Sequence, residues 1–508
     1  DCNVILIAPT GSGKTESALG WLSKKIEKSS SRTFYILPFT ASINAMHQRL
    51  AKQIENKESA DTTFVGIHHG KLIHYLAHLM GNDDYTELKK CSEQFKMMIH
   101  PLKITTPFQV LKYLFGVKGF EIGFTNLCGA NLIFDEIHAY DVITFAQILV
   151  MLEFLSSKFK CNVFIMTATL PTFMLNLIQN AIPKVTNIYA SPEYLSSKIR
   201  HRVKIFQGTI FSAIEKYLSQ WQNPGRSIIV CNTVQQAQDC YLLIKSQSPN
   251  SSVTLLHGRF NSVDRMRHEQ QSLSKGNQFL IGTQAIEVSL DIDYDLMITE
   301  PAPLDALLQR FGRVNRHGKR PPASVFVCTE GSKYDNKIYP QEIVDRSLKA
   351  LQKMEVIHES DIQGLIDEVY PDWFPDQRKK FEEIRKLFND SLASLQPYSE
   401  HKESEEAFYE HFTGVQVLPG CFFRKYVDHI QNGEFVQAEE LLVGIHEGTF
   451  NSLFHNQETT FIIREAFSIL RNGKAKTDYV FVICCKYDSE LGLLLKERED
   501  FIHDDNMF

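Results

Sequence analysis

The sequence predicts an α/β chain in which two tandem parallel-sheet lobes are followed by a helical connector and a smaller mixed terminal domain. Three observations predict it. Short apolar runs alternate with amphipathic helical stretches twice over, in two series of similar length. The runs are apolar on both faces, as strands covered by helices on both sides must be. At 508 residues the chain also exceeds what one core holds.

The first series opens with "NVILIAPTGSGKTESALGWLSKKI", a short strand, a Gly-rich turn and an amphipathic helix. "TFYILPF", "LKITTP", "ANLIFDE" and "CNVFIMTATLP" read as further strands, with "TASINAMHQRLAKQI" and "FQVLKYLFG" as helices between them. That sheet ends near "TNIYAS", which sets a first lobe at 1–198. "SIIVCNT", "SVTLLHGRF", "QFLIGTQ", "DLMITEPA" and "SVFVCTE" supply the strands of a second lobe at 199–333. From 334 to 400 the pattern turns helical and charged, and "QRKKFEEIRKLFNDSL" predicts exposed helix faces. "PYSEHKESEEAF" reads equally as an acidic linker or a solvated helix start. At 401–508, "FIIREAFSIL", the strand-like "YVFVICCKY" and "LGLLL" outline the terminal domain.

Composition bounds the function. Hydrophobic residues make up 43% and charged residues 22%, which excludes intrinsic disorder. The net charge of −6 means that a polyanion must be met by local basic patches. The ten cysteines form no C-x-x-C pair and no zinc spacing, and predict buried free thiols in a reducing cytoplasm. "VITFAQILVMLEFL" is too short to span a bilayer, so a soluble, cytoplasmic protein is expected. The chain begins with Asp1 and not Met, two residues before an apolar strand, and is therefore expected to be part of a longer or processed polypeptide.

Chemistry concentrates in "APTGSGKT" and "LIFDE". Between a strand and a helix, Thr10, Gly11, Ser12 and Gly13 let successive N–H groups face one point, the geometry that cradles phosphate oxygens. Lys14 would neutralise the β- and γ-phosphates, and Thr15 would offer its hydroxyl to Mg2+. Asp135 would hold the same metal, while Glu136 would take a proton from the water that attacks the γ-phosphate. Farther on, "QRFGRVNRHG" offers Arg310, Arg313 and Arg316, the last two at a spacing that predicts a shared helix face. Such arginines are what a second lobe would present to a transferring phosphate.

"APTGSGKT", "DEIH", "TAT", "TQAIEVSLDID" and "QRFGRVNRHG" occur in the order of the superfamily 2 helicase motifs. "FDEIHAYD", "LHGRF" with Asp264-Arg265, and the late "KYDSELGL" closely resemble the helicase of type I CRISPR interference, the Cas3 family. The resemblance implies two RecA-like lobes, ATP with Mg2+, and movement along single-stranded DNA under a terminal domain that covers the strand. It implies that Gln309, Arg313 and Arg316 face the phosphates and that Asp291 senses the nucleotide. Thr167 and Thr169 would couple hydrolysis to DNA movement. Thr40, Thr105, Thr106, Asn232, Thr233, Thr283 and Gln284 would grip the strand, contacting phosphates irrespective of base. Recruitment by an RNA-guided surveillance complex is implied, since base pairing by the guide reads sequence there.

The family's nuclease is a histidine-aspartate domain with two metals, so such a domain or subunit is an expected partner. In this sequence the only His-Asp doublet is His503-Asp504, without companions. "IHHGKLIHYLAH" gathers His68, His69, His74 and His78, the last pair at helix spacing, but without the carboxylate that a dinuclear site needs. These histidines are read as packed or DNA-facing. The alternatives are a helicase acting on RNA or in DNA repair and, in another class, a nucleotide-binding scaffold. The scaffold conflicts with the presence of every residue that hydrolysis requires.

Overall fold

The structure is a computed structural model that describes residues 3–27, 31–58, 62–81, 84–96, 100–220, 225–287, 291–333, 335–397, 414–455, 461–471 and 474–499. The His503-Asp504 doublet, the acidic stretch from 398 and the boundary at 400 lie outside these residues.

In the first lobe, β1 (Asn3–Ile7), β2 (Thr33–Ile36), β3 (Val65–His68), β4 (Leu102–Thr105), β5 (Asn131–Asp135), β6 (Asn162–Thr167) and β7 (Val185–Tyr189) pair in the order β3-β4-β2-β5-β6-β1-β7, all parallel. β1 to β5 are buried at every position, as strands covered on both faces must be. β6 lies between β1 and β5, so the loops leaving those two strands flank it at the carboxyl edge. A crevice opens there, because the chain runs from β1 to β2 across the positions that β6 and β5 fill later.

The second lobe repeats the plan with β8 (Ile199–Phe206), β9 (Ser227–Val230), β10 (Val253–Leu256), β11 (Phe279–Gly282), β12 (Leu296–Thr299), β13 (Ala323–Cys328) and β14 (Val356–His358), in the order β10-β11-β9-β12-β13-β8-β14. Only β14 is antiparallel, pairing with β8. It comes from beyond 333, so the second sheet extends into the stretch expected to be a separate connector. Helices Gln341–Gln352 and Ile362–Val369 bury Ile343, Leu348, Leu365 and Ile366 in the same core.

The long helix Pro375–Ser394 then returns to the first lobe. Its polar residues suggest exposure all round, yet Phe381 and Phe388, seven apart, form one buried seam. Phe388 stacks on Phe115 at 4.3 Å between ring centroids. Burial of each phenylalanine contributes about 1.5–3 kcal/mol. The connector is therefore two straps: the first completes one lobe and the second clasps the other.

The terminal domain holds β15 (Val415–Pro419), β16 (Val443–Ile445), β17 (Ile462–Arg471) and β18 (Lys474–Ile483) in the order β16-β15-β18-β17, and a hairpin of β19 (Cys485–Asp488) with β20 (Gly492–Arg498). "YVFVICCKY" is thus not one strand. It breaks at Cys484, whose N–H donates to Phe461 O at 2.7 Å.

The hairpin docks on the second lobe. Leu493 N donates to Arg259 O (3.0 Å), Gln238 Nε2 to Leu491 O (2.7 Å), Arg267 to Ser489 O (2.6 Å) and Tyr487 Oη to Asp264 Oδ2 (2.7 Å). On the other side, Val436 enters the first lobe's core and His74 Nε2 bonds Glu439 Oε2 at 2.8 Å. The terminal domain touches both lobes. Among the described residues no helix is long and apolar enough to cross a membrane, and the nine described cysteines are free of disulfides.

Candidate nucleotide site and strand-contacting loops

The phosphate loop is built by its backbone. Gly11 (φ 81°) and Gly13 (φ 87°) take left-handed conformations, although a side chain at either would meet nothing closer than 3.9 Å. Conformation and not crowding requires glycine there. Gly13 caps the helix Lys14–Ile26 without a side-chain cap, so the helix's first N–H groups are left for a ligand. Ser12 Oγ is buried without a hydrogen-bond partner. Lys14 is buried and tethered, its Nζ donating to Ala8 O at 3.1 Å and lying 3.8 Å from Glu136 Oε1.

Asp135 ends β5 and Glu136 follows in a left-handed conformation (φ 54°) unusual for a side-chain-bearing residue. That twist turns its carboxylate into the crevice. Burial and the neighbouring Glu136 push Asp135 up to about 7, against the pull of Lys14. Burial acts on Glu136 too, but Lys14 holds it below the usual carboxylate range. Tyr35 on β2 donates to Asp135 Oδ2 at 3.2 Å. Asp135 and Thr15 are the two side chains expected to hold Mg2+. A pair of oxygens beside a buried carboxylate that lacks enough positive charge fits a small divalent cation carried in with phosphates.

His138, the last residue of "DEIH", joins the lobes. Thr167 Oγ1 donates to Thr169 O (2.8 Å), which leaves its oxygen to accept from His138 Nδ1–H (2.7 Å). Nε2 is then the acceptor, and Gln309 Nε2 of the second lobe donates to it at 3.2 Å. Burial keeps this imidazole's pKa below its ordinary value, so it is neutral, as the relay requires.

The arginines do not share a helix face. The helix Leu304–Phe311 ends at Gly312, and Arg313 and Arg316 stand in the turn that follows, fixed by Asn315 (φ 47°). Asn315 Nδ2 donates to Arg200 O at 3.1 Å, and His201 Nε2 to Val314 O at 2.8 Å. Arg313 donates to Glu287 O; burial and Arg316 lower it to about 10, which leaves it charged. Arg316 Nε lies 3.4 Å from Asp291 Oδ1. Arg310 differs from both. It is wholly buried and bonds Glu287 Oε1 (2.8 Å), Thr299 Oγ1 (2.8 Å) and Asn232 Oδ1 (3.1 Å), so it is a brace of the second lobe. A cleft of about 420 Å³ is lined from the first lobe by Thr10, Asp135, Glu136 and His138 and from the second by Asp291, Gln309, Arg313 and Arg316.

The strand-contacting set divides. Thr40, Thr106, Thr233 and Gln284 are half-buried at the carboxyl ends of β2, β4, β9 and β11, where a strand could reach them. Thr105 and Thr283 are buried; Thr105 Oγ1 donates to His68 O at 2.9 Å. Asn232 is corrected more firmly: its Nδ2 donates to Pro301 O (2.9 Å) and Asp335 Oδ2 (2.6 Å) and its Oδ1 accepts from Arg310, which leaves nothing for DNA. Thr167 and Thr169 lie in the relay under the nucleotide cleft, buried between β5 and β1 and not on a strand-facing surface. His138, Tyr35 and Glu287 were missed as site residues. His138 carried a signal as the fourth letter of its motif, and Glu287 as a letter of "TQAIEVSLDID"; Tyr35 carried none. The histidine cluster disperses: His69 bonds Asn44 and His74 bonds Glu439, and among the described residues no group of three metal-ligating side chains forms.

Residues 1–177 match the DEAD/DEAH box helicase family, and residues 223–319 match the C-terminal part of the CRISPR-associated nuclease/helicase Cas3 family. A putative CRISPR-associated nuclease/helicase Cas3 of Methanocaldococcus jannaschii is 25% identical over 529 residues, covering 98% of this chain and 69% of that one. The chain spans about half the length of other Cas3 relatives. Among solved structures, T. fusca Cas3 with AMPPNP superposes with a TM-score of 0.71 at 17% identity, over 97% of this chain and 68% of that one. A chain of a CRISPR RNA-guided surveillance complex in a pre-nicking state gives 0.63 at 18% identity, over 97% and 68%. At these identities the superpositions establish the fold. The sequence matches run across both lobes, and the chain is similar to Cas3 helicases over nearly its whole length.

Proposed function

We propose that the chain is an ATP-dependent motor on single-stranded DNA, serving RNA-guided interference. One observation carries this reading: a phosphate loop with its carboxylates and a charged arginine turn line the same interlobe cleft. Lys14 and the loop amides bind the β- and γ-phosphates, and Thr15 and Asp135 would hold Mg2+, which supplies charge neutralisation between phosphate oxygens. Glu136, kept ionised by Lys14, accepts the proton of the attacking water. Arg313, from the other lobe, meets the charge that develops on the transferring group. Arg316 and Asp291 frame the nucleotide's entrance, and Gln309 reports its presence through His138. Because the two sides of the cleft belong to different lobes, each cycle of binding and release closes and reopens it.

The Cas3 family suggests the setting: displaced strand as track, an RNA-guided surveillance complex as recruiter, and a histidine-aspartate nuclease, fused or separate, as recipient of the strand. The test is phosphate release by the purified chain with ATP and Mg2+, with no polynucleotide, with single-stranded DNA and with single-stranded RNA. Stimulation by DNA above RNA is expected. Stimulation by RNA alone would move the chain to RNA, and no turnover under any condition would leave the scaffold reading.

A further inference from the structure

The first-lobe segment "TATLPT", from Thr167 to Thr172, is fastened at both ends by the second lobe. Its first end is the relay described above, where Thr167 meets Gln309 through His138. Its other end begins the helix Thr172–Ala181, and Pro171 at the N-cap has no side-chain acceptor for the helix's free N–H groups. The cap comes from the other lobe. Thr172 N donates to Asp367 Oδ1 at 2.7 Å and Thr172 Oγ1 to Asp367 Oδ2 at 2.8 Å, which sets a carboxylate against the positive end of the helix. One turn earlier on the helix Ile362–Val369, Gln363 Nε2 donates to Leu170 O at 3.0 Å and to Asp367 Oδ2 at 3.2 Å.

Both fasteners belong to one body. The helices Leu304–Phe311 and Ile362–Val369 bury Leu304, Leu307, Leu365 and Ile366 in the second lobe's core, and Tyr370 Oη donates to Asp305 Oδ1 between them. The Asp367 end also lies where the chain crosses between the lobes. Val369 is in the second lobe's core, Trp373 packs against the first lobe's, and Phe374 packs against the second again. The ring of Trp373 stands 4.9 Å from that of Phe173, the residue after Thr172. The carboxylate cap and the aromatic contact therefore hold adjacent residues of the first lobe.

We propose that Asp367, with Gln363, is the pivot on which the two lobes turn and a positioning residue for the segment Thr167–Thr172. This rests on the motor reading and deepens it. The chain crossing keeps the Asp367 end at fixed range while the cleft beyond it opens and closes, as a hinge built from a few element-terminal residues does. Movement of the second lobe then reaches the segment as a change at its Gln309 end. With either fastener released, the segment no longer carries that change from one lobe to the other.

Steady-state phosphate release by the full chain, with and without single-stranded DNA, tests this. Asp367→Ala should leave the rate without DNA within about twofold of wild type and lower DNA-stimulated kcat about 10-fold at an unchanged KM for ATP. Asp367→Asn keeps an acceptor for Thr172 N and should lose less. The decisive reading is Asp367→Ala combined with Gln309→Ala. Two fasteners of one segment act in series, so the double variant should fall no further than the single ones; a fall of about 100-fold, the product of independent losses, would overturn the proposal. So would Asp367→Ala with the wild-type stimulated rate or with equal losses with and without DNA, and so would Asp367→Asn falling as far as Asp367→Ala; the motor reading would stand in each case. Where Asp367→Ala does not fold, Gln363→Leu removes the bond to Leu170 O, leaves the cap in place and carries the same readings. A wild-type chain that DNA does not stimulate would overturn both.

Discussion

Gln309 of the second lobe donates to His138 of the first at 3.2 Å, and that histidine's other nitrogen donates to Thr167. The relay is a direct hydrogen-bonded path from the arginine helix to the strand end beneath the nucleotide. Gln309→Ala removes its interlobe bond while leaving the phosphate loop untouched. Loss of one such bond should lower DNA-stimulated kcat roughly 10-fold with little change in the KM for ATP. Steady-state phosphate release decides it; a raised KM at unchanged kcat would assign Gln309 to ground-state binding instead.

Arg310 is wholly buried against Glu287, Thr299 and Asn232. Arg310→Met strands the Glu287 carboxylate, and breaking a buried pair in this way costs about 3–5 kcal/mol. Urea unfolding should show that loss. A variant of wild-type stability that only lacked turnover would place Arg310 at the phosphates.

Gly492 has φ 73°, and a Cβ there would lie 2.7 Å from both Arg259 O and His257 Cε1. Gly492→Val should therefore lift the β19–β20 hairpin off the second lobe. Limited proteolysis should cut the hairpin of the variant and spare that of the wild type. Equal resistance would show that the lobe accommodates the side chain.

His47 and His69 are lowered to about 4, and His201 and His257 to about 3, in each case chiefly by burial. Their folded pKa values lie below the unfolded value of about 6.5, so the stability they contribute is complete above that pH and is lost as pH falls toward the folded values. Between pH 6.5 and 5 the loss is up to about 2 kcal/mol per histidine. The urea midpoint should fall over that window, and His201→Gln should flatten the fall. An unchanged pH profile in the variant would remove His201 from the account.

The phosphate loop and the "LIFDE" strand end were legible because their chemistry depends on local backbone and strand order, which apolar runs and glycines disclose. Short edge elements were not. β3 is four residues that include a glycine and a histidine, and β14 is three, too few to show a period. Arg313 and Arg316 imitated a helix face because spacing alone cannot register that Gly312 ends the helix. Phe381 and Phe388 hid among charges, since a seam of two residues in twenty falls below what a charged helix face displays. Asn232 and Arg310 carry polar letters that suggest surface roles, and only three-dimensional partners reveal them as internal braces.

Arg313 separates a motor from a binding module most sharply. Phosphate release by Arg313→Ala with ATP and single-stranded DNA, measured alongside nucleotide affinity in the same preparation, should fall by about 10³-fold or more while affinity changes little. A wild-type rate, or a loss of affinity large enough to account for the whole fall, would contradict a cleft in which the second lobe completes the hydrolysis begun on the first.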